Sequence, residues 1–153
     1  MSGRVFAIDP GTTHSGVVIT VNGQVTSSAV LENDDVLDEL QIHSGVPVAI
    51  EMIASYGMAV GKEVFETCLW IGRFMQVAGA DRVRLVYRKD VKMHLCGSPR
   101  AKDANIRQAL IDRWGGKAEA IGNVKKPGPL YAVKSHAWAA LGVAVTALET
   151  KPQ

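Results

Sequence analysis

The sequence is poor in cysteine and contains no long apolar run, and both shortages restrict the kind of protein it can encode. Cys68 and Cys96 are too few and too far apart for a disulfide framework or a zinc knuckle. No apolar run approaches the roughly 18 residues that a membrane span requires. The first residues also contain no apolar core of the kind found in signal peptides. We therefore expect a cytoplasmic protein that has no membrane partner.

The length and composition are those of an ordinary globular domain. The chain has 153 residues, of which 47% are hydrophobic and 21% are charged. We find no internal repeat and no composition shift that would divide the chain. The sequence therefore predicts one domain over residues 1–150, with a short tail at 151–153.

Basic and acidic residues are nearly equal in number, but they are strongly segregated along the chain. The net charge is +2, yet residues 1–81 hold three Lys or Arg against ten Asp or Glu. Residues 82–134 hold thirteen Lys or Arg against four Asp or Glu. Because phosphate contacts dominate affinity for nucleic acids, this basic segment indicates a polyanion partner. A solvated basic surface is the alternative.

The hydrophobic patterns predict five strands and several helices in the order βββαβαβααα. Asn22-Gly23 joins two β-rich runs and is a strong hairpin signal. The later strands follow helices, and such crossovers favour parallel pairing. We expect an α/β fold in which a five-stranded mixed sheet combines an antiparallel meander of three strands with two parallel strands, flanked by helices. The strands are expected at residues 4–10, 15–21, 24–31, 47–52 and 83–88, and the main helices at 62–78, 103–114 and 135–150. Asn33 and Asp103 are expected to cap the helices that follow them, and residues 117–134 to form a long irregular stretch.

Two of these strands end in a carboxylate. Asp9 ends the first strand and Glu51 ends the fourth, so the two would be neighbours if these strands pair in parallel. Adjacent carboxylates repel unless one is protonated or a cation lies between them. Oxygen ligands of this kind suit Mg²⁺ or Mn²⁺. Asp9 could instead be a simple turn former before Pro10-Gly11, and His136, at the start of the last helix, could be a third ligand or a helix cap.

These elements together resemble a known family. Ile8-Asp9-Pro10-Gly11 with Gly16 after it, Ile50-Glu51 and a late helix beginning with His136 are similar to the RuvC Holliday-junction resolvases of the RNase H-like superfamily. The segment at 97–107 most resembles the phage and prophage RuvC-like nucleases. The resemblance implies an RNase H-like fold and a homodimer that nicks four-way DNA junctions with Mg²⁺, for which Mn²⁺ can substitute. It also implies a bacterial or phage-infected cell as the location.

Carried over by position, the resemblance implies that Asp9, Glu51 and His136 are the catalytic, metal-binding residues. The sequence departs from the family at Ala139, where cellular resolvases carry an Asp one turn after the position of His136. Three interpretations stay open. His136 and Ser135 suffice with water and phosphate, or the site is weakened, or the position carries an inactivating Asp→Ala change.

The remaining site residues are expected to contact DNA. Tyr56 could stack or wedge at the open centre of a junction, although burial would explain it equally well. The leading hypothesis is a structure-specific endonuclease that resolves Holliday junctions and other branched DNA by phosphodiester hydrolysis. The alternatives are a catalytically weak or inactive junction-binding protein of the same fold, or an RNase H-like nuclease that acts on RNA. The candidate phosphate contacts are Arg100, Lys102, Arg107, Lys125, Lys126 and Lys134.

Overall fold

A computed structural model describes residues 3–152 of the protein. Five strands and six helices alternate along these residues, and a short 3₁₀ turn at Ala80–Arg82 precedes the last strand. The strands are β1 (Arg4–Asp9), β2 (His14–Val21), β3 (Gln24–Glu32), β4 (Val48–Met52) and β5 (Val83–Tyr87). The helices are α1 (Asn33–Ile42), α2 (Lys62–Ala78), α3 (Arg88–Cys96), α4 (Asp103–Arg113), α5 (Lys117–Ala120) and α6 (Ala137–Glu149).

The strands form one mixed sheet in the order β3-β2-β1-β4-β5. β1, β2 and β3 are antiparallel neighbours, whereas β4 runs parallel to both β1 and β5. The turn between β2 and β3 uses Asn22 and Gly23, whose φ angles of 51° and 80° are those of the expected tight hairpin. The mixed five-stranded sheet expected from the sequence is therefore confirmed, including the pairing of the first and fourth strands.

Helices cover both faces of the sheet because alternate strand residues are apolar on both sides. Phe6, Ile8 and Ile50 point to the face that packs against α1 and α2. Ala7 and Ala49 point to the opposite face, which packs against α3, α4 and α6. This alternation determines which helices the side chain of a residue at a strand end contacts.

Two arginines of the basic segment donate hydrogen bonds to backbone carbonyl groups within the fold. The Arg82 guanidinium donates to the carbonyl oxygens of Leu40, His43 and Val46, at 3.2, 3.1 and 2.5 Å. Arg84 donates in the same way to carbonyl oxygens at the end of α6. These contacts satisfy carbonyl groups that a helix end leaves without partners. The charge excess of residues 82–134 therefore overstates the positive charge that is free to meet a polyanion.

Two helix starts differ from those expected, and one short helix was not expected. α6 begins at Ala137, so His136 lies just before the helix, at its N-cap position. α4 has Lys102 at its N-cap position, where its backbone N–H donates to Asn105, and Asp103 is the first helical residue rather than the cap. The short helix α5 lies inside the stretch at 117–134 that we expected to be irregular. Within residues 3–152, no helix combines the length and the apolar character needed to cross a membrane.

Candidate active site

Three charged side chains lie together at one end of the parallel strands. Ile8 pairs with Ile50, so Asp9 and Glu51 follow at the same level of adjacent strands. Met52 pairs with Tyr87, and Arg88 follows Tyr87 directly. Strand alternation gives Asp9, Glu51 and Arg88 the same orientation as Ala7, Ala49 and Val86, which face α6. The register of the sheet therefore brings two acids and an arginine to the α6 side of one edge.

Burial and the neighbouring carboxylate strongly perturb Asp9. The side chain of Glu51 is 8% exposed and that of Asp9 is 14% exposed. Burial raises the pKa of Asp9 to about 8, with the neighbouring Glu51 carboxylate contributing in the same direction and Arg88 opposing it. An acid that holds its proton near neutral pH is poised to exchange that proton for a cation. A turn former on a solvated loop would show no such perturbation.

The third predicted residue, His136, borders this pair from the start of α6. Its Nδ1 lies 3.4 Å from Oδ2 of Asp9, while 69% of its side chain remains exposed. Ser135, with a φ of 52°, turns the chain sharply just before it. A Cβ atom at Gly16 would overlap the backbone carbonyl of His136 and would lie 2.9 Å from the amide nitrogen of Ala137. Gly16 pairs with Asp9 across the sheet, so its lack of a side chain lets His136 approach that carboxylate.

A buried hydrogen-bond network holds the loop that follows Asp9. The hydroxyl of Ser15 donates to Oδ1 of Asn33 at 2.6 Å and accepts from the N–H of Gly11 at 3.2 Å. The side-chain amide of Asn33 donates to the carbonyl oxygen of Gly11 at 2.9 Å. The N–H of Asn33 also donates to the carbonyl oxygen of Thr13. The start of α1 therefore fixes the loop beside the site, which supports a preorganised position for Asp9.

Arg88 joins the site to α4. Its guanidinium donates to Oε1 of Glu51 at 3.1 Å and also contacts the carboxylate of Asp103. A small cavity of about 90 Å³ lies beside this group and is also lined by His136 and Ala139. Ala139 thus presents a methyl group on the side of the site where the family pattern predicts a carboxylate.

The donor set suits one hard divalent cation bound by Asp9 and Glu51. Mg²⁺ is commonly held by one or two carboxylates together with water and substrate phosphate, and two adjacent acids supply that minimum. Across residues 3–152, however, no three His, Cys, Asp or Glu side chains are arranged as a complete metal-binding cluster. Glu51 is turned toward Arg88, and His136 is largely exposed. The assignment of Asp9, Glu51 and His136 as metal ligands stays a prediction.

The predicted DNA-contacting residues fall into two groups. Arg107 borders the cavity beside Arg88, and its guanidinium lies 4.9 Å from the ring centroid of Trp138. Lys102 and Lys134 lie close along the chain to Asp103 and His136 respectively, and both are exposed. The other predicted contacts are exposed on loops, with no described contact to the carboxylates: Arg100, Lys125, Lys126 and Tyr56.

Sequence reasoning missed Arg88 and misassigned Asp103 as a helix cap. A usable signal for Arg88 was present, because it immediately follows the strand parallel to the one that carries Glu51. Polar residues at the carboxyl ends of parallel strands commonly meet in one site. No comparable signal marked Asp103, since its contact depends on how α4 packs beside α3.

The sheet order and the helices on its two faces define an RNase H-like fold, the fold of RuvC. No family model matches the chain, and no curated protein matches it in sequence. Solved structures match almost its whole length, among them two of one bacterial protein. A structure of Thermus thermophilus RuvC is similar with a TM-score of 0.66 and 20% identity, covering 94% of this chain and 92% of that one. T. thermophilus RuvC in complex with a Holliday junction substrate is similar with a TM-score of 0.65 and 21% identity, at the same coverage.

Proposed function

We propose that the protein is a divalent-metal-dependent endonuclease that cuts four-way DNA junctions. The observation that carries this proposal is the buried Asp9–Glu51 pair at the ends of β1 and β4, with His136 beside it. The pair lies in a fold shared with a protein whose structure was solved on a Holliday junction. The full expected substrate range, including other branched DNA, belongs to the same proposal.

The residues of the site would bind a divalent metal ion, each in a distinct role. Asp9 and Glu51 would hold Mg²⁺ or Mn²⁺ through carboxylate oxygens, with His136 as a nitrogen ligand at the open side. A bound divalent ion supplies the charge that activates a water for attack on the phosphate and stabilises the departing oxygen. Because Asp9 must lose its proton to bind a cation, affinity for the metal should rise as the pH approaches 8.

The exposed basic residues would hold the DNA backbone near this centre. Arg107 borders the cavity beside Arg88, and Lys102 and Lys134 lie next to site residues along the chain, so these three are the first candidates for phosphate contacts. Arg100, Lys125 and Lys126 would extend the basic surface outward, and the exposed Tyr56 would stack on a base at the junction centre. Each phosphate contact that is removed should lower the salt dependence of binding by about one unit of slope.

A homodimer is part of the proposal. Phe65 and Leu69 lie one turn apart on α2 and are both exposed, and Met58 is exposed in the loop before that helix. Exposed apolar residues grouped in this way indicate a surface that another chain covers. Two symmetric sites are what symmetric cutting of a four-way junction requires, so we propose a second copy of this chain as the partner.

Junction cutting can be tested directly with one substitution. Wild-type protein should nick a labelled four-way junction in Mg²⁺ or Mn²⁺, whereas Asp9→Asn should bind the junction and leave it uncut. Loss of binding and cutting to the same degree would instead indicate misfolding or a different site. Asp38→Asn, which removes an exposed acid from α1, is the matched control and should cut normally.

Ala139 favours a second candidate function, a junction-binding protein with little catalytic activity. Its methyl group leaves the site one carboxylate short of the family pattern. Under this alternative, the wild-type protein binds the junction without nicking it in either metal. Ala139→Asp would then raise nicking above background, whereas efficient nicking by the wild type rejects the alternative.

A further inference from the structure

Arg88 lies inside the site but has no part in the function proposed above. Its guanidinium has two partners of very different exposure. The side chain of Glu51 is 8% exposed, whereas that of Asp103 is 87% exposed, and Arg88 itself is 29% exposed. One half of the guanidinium is therefore anchored in the protein, and the other half meets a carboxylate at the surface.

The two ion pairs differ in how easily they can be broken. Removing the partner from a buried charge leaves it uncompensated, so the Glu51 contact is costly to lose. An ion pair with an exposed carboxylate competes with water and contributes little, so the Asp103 contact is cheap to exchange. A second anion that reached the guanidinium would therefore displace Asp103 and leave Glu51 in place.

The surroundings of Arg88 suit a phosphate as that anion. The adjoining cavity of about 90 Å³ is also lined by Arg107 and His136, which add positive or titratable groups. Its remaining wall includes Ala139, which brings no competing carboxylate. The part of the guanidinium that contacts Asp103 can donate to a phosphate oxygen instead, so one negative charge would replace another.

We propose that Arg88 binds the scissile phosphate by keeping its contact with Glu51 and exchanging Asp103 for a phosphate oxygen. This proposal rests on the proposed function only in assuming that DNA enters the site. Asp103 then acts as a stand-in for phosphate in the free protein and holds the guanidinium in its binding orientation. Arg88 is thereby a substrate-binding residue that sequence comparison by position did not identify.

The test measures DNA binding in EDTA, where no cutting interferes. The variants are Arg88→Met, Asp103→Asn and the double variant, each titrated by fluorescence anisotropy against a labelled four-way junction and a linear duplex. Lys89→Met and Asp112→Asn remove charges of the same sign at exposed positions nearby and serve as matched controls. Denaturant unfolding of each variant shows that it is folded.

The exchange predicts opposite effects for the two single variants. Arg88→Met should weaken binding about tenfold relative to Lys89→Met, and should reduce the salt slope by about one. Asp103→Asn should tighten binding roughly two- to fivefold relative to Asp112→Asn, because it removes an exposed competitor. In the double variant that gain should disappear, since nothing remains for Asp103 to compete for.

The other outcomes overturn one proposal or the other. If both single variants weaken binding, Arg88 and Asp103 form a structural bridge and the exchange is wrong. If the gain from Asp103→Asn persists without Arg88, the effect is general electrostatics and the exchange is again wrong. If the opposite effects occur equally on both DNAs and the wild type does not prefer the junction, Arg88 keeps its role and the junction-specific function fails. If the wild type binds neither DNA, both proposals fail.

Discussion

The buried carboxyl of Asp9 should make the metal-free protein less stable as the pH rises from about 4 to about 8. In the folded state its pKa is raised to about 8, against 3.8 for the free side chain. Between these values the folded protein keeps a proton that the unfolded chain releases. Stability falls with pH wherever the folded state binds more protons, so the loss begins near pH 4 and is complete just above pH 8.

The size of this effect follows from the shift in the pKa of Asp9. One pKa unit corresponds to about 1.4 kcal/mol, so a shift of roughly four units sets an upper limit of about 6 kcal/mol. Asparagine has nearly the same shape but no charge, so Asp9→Asn should escape the loss. At pH 8 we expect the variant to be more stable than the wild type by about 2–5 kcal/mol, and at pH 4 the difference should largely vanish.

Divalent metal should offset much of this difference in stability. At one hundred times its Kd, Mn²⁺ should stabilise the wild type by about 2.7 kcal/mol, because it binds only the folded state. The Asp9→Asn variant should gain much less, since it lacks one of the two carboxylates. A residue whose removal stabilises the free protein but abolishes metal binding is held in place for function.

Urea unfolding at pH 4, 6 and 8 measures this directly, first in EDTA and then with Mn²⁺. Asp38→Asn is the control, because it removes an exposed acid on α1 and should follow the wild type at each pH. The reasoning is refuted if wild-type stability in EDTA does not fall relative to that of Asp9→Asn from pH 4 to pH 8, or if Asp9→Asn is the less stable protein at pH 8 in EDTA.

Three further predictions concern the support of the site and its partner. Gly16→Ala should destabilise the protein by about 1–3 kcal/mol and weaken Mn²⁺ binding, because the new methyl group displaces His136. Gly72→Ala, in open space on α2, should instead stabilise it by about 0.5–1 kcal/mol, and equal effects of the two changes would contradict the role of Gly16. Asn33→Ala should cost about 1–3 kcal/mol in urea unfolding, since it leaves the Ser15 hydroxyl without its acceptor, and an unchanged midpoint would contradict this. Phe65→Glu should convert a dimer into a folded monomer by light scattering, and a variant that stays dimeric would exclude this face of α2.

The sheet was predictable because its signals are local and agree with one another. The Asn22-Gly23 turn determines the hairpin of β2 and β3, and the helical crossovers make the last two strands parallel. Asp9 and Glu51 are then neighbours if the fourth strand joins the sheet beside the first, and the structure shows that pairing. Strand alternation, which applies equally to both, then predicts that they share one face.

The parts of the site that escaped prediction depend on contacts between distant elements. Gly16 was recognised only as part of a motif, since its close contact with His136 requires the position of α6 on the sheet. Asn33 looked like a helix cap, but its side chain instead reaches back to the loop after Asp9. Asp103 also looked like a helix cap, because it precedes an apolar helical pattern. Only the packing of α3 beside α4 shows that it contacts Arg88.

Mapping the cuts on a four-way junction tests the central claim most directly. The protein would be incubated with a junction labelled on each strand in turn, with and without Mn²⁺, and the products would be compared with those of Asp9→Asn. We expect metal-dependent nicks at positions related by two-fold symmetry, and none from the variant. Nicks without that symmetry, nicks that persist in EDTA, or equal cutting by Asp9→Asn would contradict the claim.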